Sequence, residues 1–571
     1  MKWMDLQRHG LSLTIAANGA SPQESPHLAV RGAVAHHAAD LLALGFSPAG
    51  ESVWARQGSS VPSSFWLEAK GRFPLARVID MPVDALFDAE EQKALPSAPN
   101  PNTAKQVSYT KLGEHRGRKR LWLEGMRLES AGFSAGDRFA LTLDLAARRI
   151  VLTADKVGDR QVSSRAAKNG ARTPIIDVCD SALERVLGPS GRVRATLFDG
   201  RIELDLHPVE RAVFDREART RENVSQGRVT EAVLCAGGGV SALALQDGFR
   251  DVDLVSSVEW VVDREVRYLQ AAADNNPAIA HARLFEASLE ELDPCYITPV
   301  DVVQISLPCT GHSPAGKAKR KMVHAEQHPT DALAVYGALK LLEASQPSVV
   351  IAENVVQAQS SATYALIRAY LQQQGYAITE TVLTGVDAGT LEHRDRHWLV
   401  AISRGFSDGF DLESLPRRER QHELLGEVLE ALPNDASNWK PFDYLAAKAD
   451  RDAAAGKGFQ RQLVTPAAHH VGTIGRGYAK ARSTEPFLVR EDGLQRLLTP
   501  VEHARVKGIP EQLIEGLTQG LAHEILGQSI LYPHAQVLAA HIGAHLRRVI
   551  APGTAVVEAV GSATKSVGPG M

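Results

Sequence analysis

The sequence predicts an α/β protein built on a doubly wound, Rossmann-like sheet, with an N-terminal α+β/β accessory region before it. Three apolar runs predict it. Ala232–Leu234 leads into Gly237-Gly-Gly239, Val302–Leu307 into Pro308-Cys309, and Pro347–Ala352 into Glu353-Asn354. Short, continuous apolar runs suit strands that are covered on both faces. From about 230 to 403 such runs alternate with helical stretches at βαβ spacing, the pattern of a parallel sheet.

Composition bounds the rest. The chain has 571 residues, 44% of them hydrophobic, enough for more than one domain. Lys+Arg is 63 against Asp+Glu 67, a net charge of −4, so the chain as a whole is not a polycation. Any nucleic-acid contact must come from local basic faces. The cysteines are Cys179, Cys235, Cys295 and Cys309, and none form a CxxC pair. That argues against a zinc cluster or a disulfide framework, and for a reducing compartment. No metal is expected. Lys2 and Arg8 precede only a short, polar-interrupted run, Leu11–Ala17, which does not read as a signal peptide. No stretch approaches the ~20 apolar residues of a membrane span. The expectation is a cytoplasmic protein without a membrane partner.

In chain order, residues 1–100 read as a small accessory domain, with Ala33–Leu44 a helix and Phe65–Ala69 a strand. Pro96, Pro99 and Pro101 mark a linker. Residues 101–225 read as mostly β. Strands are expected at Arg120–Glu124, Arg138–Leu145, Arg149–Thr153, Val193–Phe198 and Arg201–Leu206, the last two joined at Asp199-Gly200. Leu128–Phe139 resembles the swapped-hairpin AbrB-like barrels of transcription regulators and SymE-like proteins. With basic stretches at 117–120 and 160–172, this region is an expected nucleic-acid contact. Residues 209–228 read as a charged linker, helical or loose. The sheet domain spans 226–404, and 405–490 is polar and turn-rich. Residues 491–551 are closing elements ending in a helix from Tyr532 to Ile550, and 552–571 is a flexible tail.

The glycine turn points to a ligand, because residues without a Cβ allow close backbone approach. The next strand, Val252–Val258, is followed by Glu259-Trp260. A carboxylate there suits ribose hydroxyls and an indole suits an adenine face. The glycines alone do not exclude a nicotinamide or flavin cofactor. Cys309 at a strand end is a candidate nucleophile, stronger than a hydroxyl once ionised. Glu353 ends the next strand and is a candidate acid or hydrogen-bond donor. In Leu391–Val400, Arg394 and Arg396 are two apart, so on an extended strand they share a face. One can hydrogen-bond a carbonyl oxygen. Thr499-Pro500 starts a helix by capping logic, on which Glu502 and Arg505 are spaced to pair.

In this order and spacing, over roughly 230–550, the motifs resemble those of the DNA (cytosine-5) methyltransferases. The resemblance implies S-adenosylmethionine as cofactor and a monomer acting on double-stranded DNA. A flipped-out cytosine would be attacked by Cys309 at carbon 6, methylated at carbon 5 and released by loss of the carbon-5 proton. Glu353, Arg394 and Arg396 would complete the catalytic set, with Asn354 shaping the pocket backbone. Ala236, Gly237, Gly238, Gly239, Glu259, Trp260, Ser288, Pro308, Gln528 and Ser529 would meet the cofactor. Lys317, Lys319, Arg320 and Lys321 would close over DNA, and Arg476, Lys480 and Arg482 would enter a groove within a target-recognition region, 405–490. The chain departs from the family pattern. Ser288 (or Glu286) stands for Asp, Thr310 and Glu392 each for Gln, and Gln528 for Asn. Those departures keep a degenerate DNA-binding regulator open, and Gln528 a modified methyl donor. RNA cytosine is a further alternative. The family also implies nucleoid association and roles such as restriction-modification.

Overall fold

The computed structural model describes residues 103–551, apart from 146, 167–171, 189–190, 313–321, 329, 434–436 and 457–460, and the backbone of six strands before them. The chain divides into two compact units, Met1–Lys105 and Gln106–Met571. In the first, β1 (Lys2–Arg8), β2 (Leu11–Asn18), β3 (His27–Gly32), β4 (Ser47–Gly50), β5 (Val53–Gln57) and β6 (Arg77–Asp80) form an antiparallel sheet in the order β4-β5-β3-β2-β1-β6. The helix expected at Ala33–Leu44, the strand at Phe65–Ala69 and the tail 552–571 lie outside the described residues.

The second unit begins with a barrel that repeats one pattern twice. Its first half is β7 (Gln106–Lys111), β8 (Gly113–His115), β9 (Arg118–Glu124), α1 (Met126–Ser130), β10 (Arg138–Asp144) and β11 (Arg149–Ala154). Its second half is β12 (Arg160–Gln161), β13 (Ser163–Ala166), β14 (Arg172–Cys179), α2 (Ser181–Leu187), β15 (Arg192–Phe198) and β16 (Arg201–Leu206). Two pairings join the halves, and each is its own image when the halves are exchanged. Ile150 pairs with Leu204 as Ile202 pairs with Leu152. Leu121 pairs with Val178 as Ile176 pairs with Leu123. The first strands are swapped, β7 pairing with β15 and β12 with β10. These eight apolar residues fill one core, with Trp122 and Asp177 alternating outward from it in the second pairing. All five strands expected here form.

The charged segment after the barrel is an ordered helix, α3 (Pro208–Ser225), not a loose linker. Pro208 occupies its first turn, where a missing N–H costs nothing. Its polar side chains are buried against the strand starts of the next sheet. Arg216 donates to the carbonyls of Gln374 (2.7 Å) and Gly375 (3.3 Å) and to the Ser403 hydroxyl (3.0 Å). Arg219 reaches the carbonyls of Val300 and Gln346, both at 2.6 Å. Thr220 and Asn223 donate to the Asp301 carboxylate, which also accepts the Thr230 N–H and hydroxyl. Asp301 is fully buried.

The sheet that follows contains β17 (Arg228–Leu234), β18 (Val255–Asp263), β19 (Arg283–Glu286), β20 (Val302–Ile305), β21 (Val349–Val355), β22 (Tyr376–Leu383) and β23 (Arg396–Ser403). Between them lie α4 (Val240–Arg250), α5 (Val266–Asn275), α6 (Ala334–Ser345), α7 (Ala362–Gln373) and α8 (Gly385–Ala388). The strand order is β19-β18-β17-β20-β21-β23-β22. β17 to β21 pair in parallel, and β23 runs antiparallel to both of its neighbours. Helices cover both faces. Val233 and Trp398 face Phe249 of α4. Ala232 and Trp260 face Leu341 of α6 and Ile367 of α7.

Beyond the sheet, α9 (Asp443–Ala454) precedes a small sheet of β24 (Gln462–Val464), β25 (Pro486–Val489) and β26 (Gln495–Arg496). Then come α10 (Pro500–Val506), α11 (Gln519–Gln528) and α12 (Tyr532–Ile550), which packs on α4. Thr499 caps α10 in a capping box with Glu502. The Glu502–Arg505 pair does not form. Glu502 is buried against Arg496, with two contacts at 2.6 and 2.7 Å, and Arg505 turns outward to Glu511.

Asp301→Ala removes the acceptor of α3 and leaves Arg219 without its buried carboxylate. Urea unfolding should show a loss of about 3–5 kcal/mol. Arg250→Ala, which breaks an exposed pair with Asp247, should cost less than about 1 kcal/mol.

Candidate active site

β20 ends at Ile305 and the chain leaves the sheet through Ser306-Leu-Pro308. The fixed φ of Pro308 starts a single 3₁₀ turn, Cys309–Gly311. Asn354, buried at the end of β21, donates to the Leu307 carbonyl (3.0 Å) and holds that exit in place. Beside it the Glu353 carboxylate pairs with Nε of Arg396 at 3.0 Å and accepts the Ser306 hydroxyl at 3.3 Å. Arg396 is the first residue of β23, brought to this rim because β23 is reversed.

Cys309 is open to solvent at the rim, yet surrounding protein atoms crowd its sulfur. That crowding pushes the thiol pKa up. Arg396 and then Arg394 pull it down, and Glu353 pushes it up again. Burial in turn lowers the Arg396 guanidinium to about 10, with Arg394 adding to the effect and Glu353 opposing it. Two cations are thus placed to favour the sulfur's anion against that crowding.

Arg394 precedes β23 and its side chain is tied to other segments. β23 begins only at Arg396, so the alternation of an extended strand does not reach back to 394. Arg394 instead donates to the Gly527 carbonyl (3.1 Å) and pairs with Glu392 (3.3 Å). Glu392 is fully buried and also accepts the Ile474 N–H (3.1 Å). Its counter-charge is Lys507, a residue the motifs did not indicate. Lys507 Nζ lies 3.5 Å from Glu392 and donates to the carbonyls of Leu526 (2.7 Å) and Ser529 (3.0 Å). Burial pushes the Lys507 pKa down, Arg394 adds to this, and Glu392 opposes it. A charged residue inside an apolar stretch, Val506-Lys507-Gly508-Ile509, was the available signal.

On the cofactor side, Ala236 bonds to the Val262 carbonyl and the turn of Gly237–Gly239 follows. The Gly237 N–H donates to Asp263 (2.7 Å), and Asn276 donates to the Gly239 carbonyl (2.7 Å). A Cβ on Gly238 would collide with Ile525, and Gly239 takes a left-handed φ of 72° that favours glycine. The Gln528 amide lies over Gly237. The Ser529 hydroxyl donates to the Leu526 carbonyl (2.8 Å) and closes its own helix.

Glu259 and Trp260 are not at the strand end. β18 continues through Val261 and Val262 to Asp263. Glu259 stays within the strand, accepting the Ser257 hydroxyl (2.8 Å). Trp260 is fully buried under the sheet and donates to the Thr298 carbonyl (3.1 Å). The strand-end carboxylate is Asp263, held by the Gly237 and Glu265 N–H groups and raised in pKa chiefly by burial. The rule that selected Glu259 finds Asp263 once the strand is extended. Glu286 pairs in register with Asp263 and is exposed. Ser288 lies beyond that strand, its carbonyl accepting the Glu291 N–H.

Lys317, Lys319, Arg320 and Lys321 lie outside the described residues. Arg476, Lys480 and Arg482 are exposed. Arg476 leans on Tyr268 of α5, 5.5 Å from its ring, and lies 3.9 Å from Glu524 of α11. Arg482 packs against Gly477. Among the described residues no group of three His, Cys, Asp or Glu side chains could hold a metal, and no helix is long and apolar enough to cross a membrane.

Residues 234–544 match the family model described as C-5 cytosine-specific DNA methylase. Over 325 residues the chain is 28% identical to Type II methyltransferase M.NlaX of Neisseria lactamica, covering 55% of this chain and 96% of that protein. Over 256 residues it is 22% identical to Type II methyltransferase M1.ScrFI of Lactococcus lactis subsp. cremoris, covering 44% and 64%. Among solved structures, S. pombe Dnmt2 methyltransferase aligns with a TM-score of 0.46 at 16% identity, over 56% of this chain and 99% of that one.

Alkylation of Cys309 by iodoacetamide, followed by peptide mass spectrometry, should show a pH midpoint above the ~8.5 of a free cysteine. Arg396→Gln removes a cation that favours the thiolate and should raise the midpoint further. A wild-type midpoint well below ~8.5 contradicts the crowding argument. Lys507→Met should cost about 1–3 kcal/mol in urea unfolding by leaving the buried carbonyls of Leu526 and Ser529 without their donor, while Glu392 keeps Arg394 at 3.3 Å.

Proposed function

We propose a division of labour among the rim residues, on the premise that this chain belongs to the C-5 cytosine-specific DNA methylases. It is a DNA cytosine methyltransferase acting at carbon 5. The observation that carries the residue roles is one rim bearing Cys309, Glu353 and Arg396, with Glu353 and Arg396 3.0 Å apart. The target base must leave the duplex to reach it. Cys309 loses its proton, and Sγ bonds to carbon 6. The electron pair displaced from the carbon 5–carbon 6 double bond makes carbon 5 nucleophilic. Glu353, acting as an acid, donates a proton or hydrogen bond to N3 and so offsets the negative charge that develops there. Arg396 orients Glu353 and reaches the adjacent carbonyl oxygen. After methyl transfer, loss of the carbon-5 proton restores the double bond and expels the Cys309 sulfur. Arg394 acts from behind, bracing the segment that enters β23.

The family implies S-adenosylmethionine, and the residues fit it. A glycine turn that admits close approach stands beside the strand-end carboxylate of Asp263, with Gln528 over the turn. When bound, the cofactor supplies an electrophilic methyl group. Asp263, in place of Glu259, would take the ribose hydroxyls. Ala236 and Gly237 to Gly239 would line the turn, with Ser288, Pro308, Gln528 and Ser529 at its borders.

Residues 226–404 and 491–551 form the catalytic domain of this reading and 405–490 the target-recognition region, with 1–100 and 101–225 as accessory domains. Lys317, Lys319, Arg320, Lys321, Arg476, Lys480 and Arg482 contact DNA. The protein acts as a monomer on double-stranded DNA, in the cytoplasm at the nucleoid. The type II methyltransferases it resembles support a place in a restriction-modification system. The presence of Cys309, Glu353 and Arg396 together speaks against a degenerate regulator.

Bisulfite sequencing of DNA from a methylation-free host expressing this protein should show protected cytosines in one short sequence context. The Cys309→Ser variant should show none, and equal protection in that variant would exclude the covalent step. Glu353→Gln should lower kcat by about 10²–10⁴ in a radiolabelled methyl-transfer assay.

A further inference from the structure

We propose that the cavity between the end of β22, α8, α12 and the segment 412–417 is an effector site for a free aliphatic amino acid. None of its lining residues belongs to the rim of Cys309 or to the glycine turn. Its volume is about 220 Å³. An apolar cavity of roughly 150 Å³ holds one benzene, so in proportion this one suits a molecule of about nine heavy atoms, the size of leucine. It is smaller than the roughly 300 Å³ at which sites for drug-sized ligands begin.

The chemistry of the wall selects the ligand. Leu383, Leu412, Leu415 and Val537 give the cavity an aliphatic surface, which takes a branched hydrocarbon chain. Arg417 and Glu413 line the same cavity, are both exposed and form no ion pair with each other. Both Asp387 oxygens are engaged, one by the Thr384 N–H and hydroxyl at 2.8 Å and the other by Arg417 Nε at 3.0 Å. The two terminal nitrogens of Arg417 and the Glu413 carboxylate have no hydrogen-bond or ion-pair partner among the described residues. His534 adds no charge, because burial pushes its pKa down to about 4. The cavity therefore offers one unused charge of each sign beside an aliphatic wall. A carboxylate can bond to the fork of Arg417 and an ammonium to Glu413. An amino-acid zwitterion carries both, with its side chain directed to the leucines.

Position gives binding a consequence. Leu383 pairs with Arg396 in the ladder of β22 and β23. Asp387 and His534 both bond to Thr384, from which the chain passes through α8 to Arg394. A ligand that joins the segment 412–417 to β22 and α12 stiffens this approach to Arg396. The effector role rests on the reading that Arg396 serves methyl transfer, whereas the binding itself does not.

Isothermal titration calorimetry of the full chain with L-leucine should show one saturable site tighter than about 1 mM. Glycine lacks the hydrocarbon, isocaproate the ammonium and isopentylamine the carboxylate, and each should bind at least about tenfold more weakly. Arg417→Gln and Glu413→Gln, both at exposed positions, should each weaken leucine binding by a similar factor. Hydrogen exchange over 384–396 should slow when leucine is added. Absence of leucine binding, wild-type affinity in the Arg417→Gln/Glu413→Gln double variant, or equal binding of isopentylamine overturns the site. Binding without slowed exchange overturns the effector role. None of these readouts requires methyl transfer, so a failure of the methylation reading and a failure of this site give different results.

Discussion

The reversed strand β23 is the constraint on which the site depends. In a parallel sheet, strand ends gather on one rim and strand starts on the other. Cys309 follows a strand end and Glu353 lies near the end of β21 (Val349–Val355), whereas Arg396 is a strand start. Were β23 parallel, its eight residues would carry Arg396 roughly 25 Å away, at about 3.3 Å per residue. Reversal places the guanidinium against Glu353 at 3.0 Å. Arg396 is buried enough that its charge is disfavoured, and the Glu353 carboxylate opposes that penalty.

A second buried charge pair works at longer range. Glu392 and Lys507 connect the segment before β23, the loop at Ile474 and the end of α11 near Gln528. In the proposed division of the molecule these belong respectively to its catalytic, recognition and cofactor parts. An acidic residue that looks like a defect in a motif is thus matched by a lysine more than a hundred positions away. Both groups are removed from water, and Arg394, 3.3 Å from Glu392, completes the buried cluster.

The strands were legible because continuous apolar runs and alternating patterns are direct consequences of burial. Cys309, Glu353 and Arg396 were legible because they sit at the ends of such strands. Strand limits were harder to read. Ser256, Ser257 and Glu259 gave β18 a polar middle, which resembles an end when only sequence is in view. Its true end is set by the bonds of Asp263 to Gly237 and Glu265, contacts between separate segments. Arg394 likewise lies before the start of β23, where strand alternation does not apply. Glu502 satisfied the spacing for Arg505 but was claimed by the cap it forms with Thr499 and by Arg496. The first of these misses turns on contacts between separate segments, and the last on a capping box that competes locally with the i, i+3 pair.

The doubled barrel has a consequence for how such a fold can change. An assembly of two identical chains repeats every residue across its axis, so a substitution made on one side appears on the other and must be compatible with itself. Here the two halves are covalently one chain. The axis of the outer sheet carries a tryptophan on one side and an aspartate on the other, a combination that identical subunits could not present. Joining the halves released that axis from self-complementarity. Either half is free to diverge, by single substitutions, while the shared register continues to specify the fold.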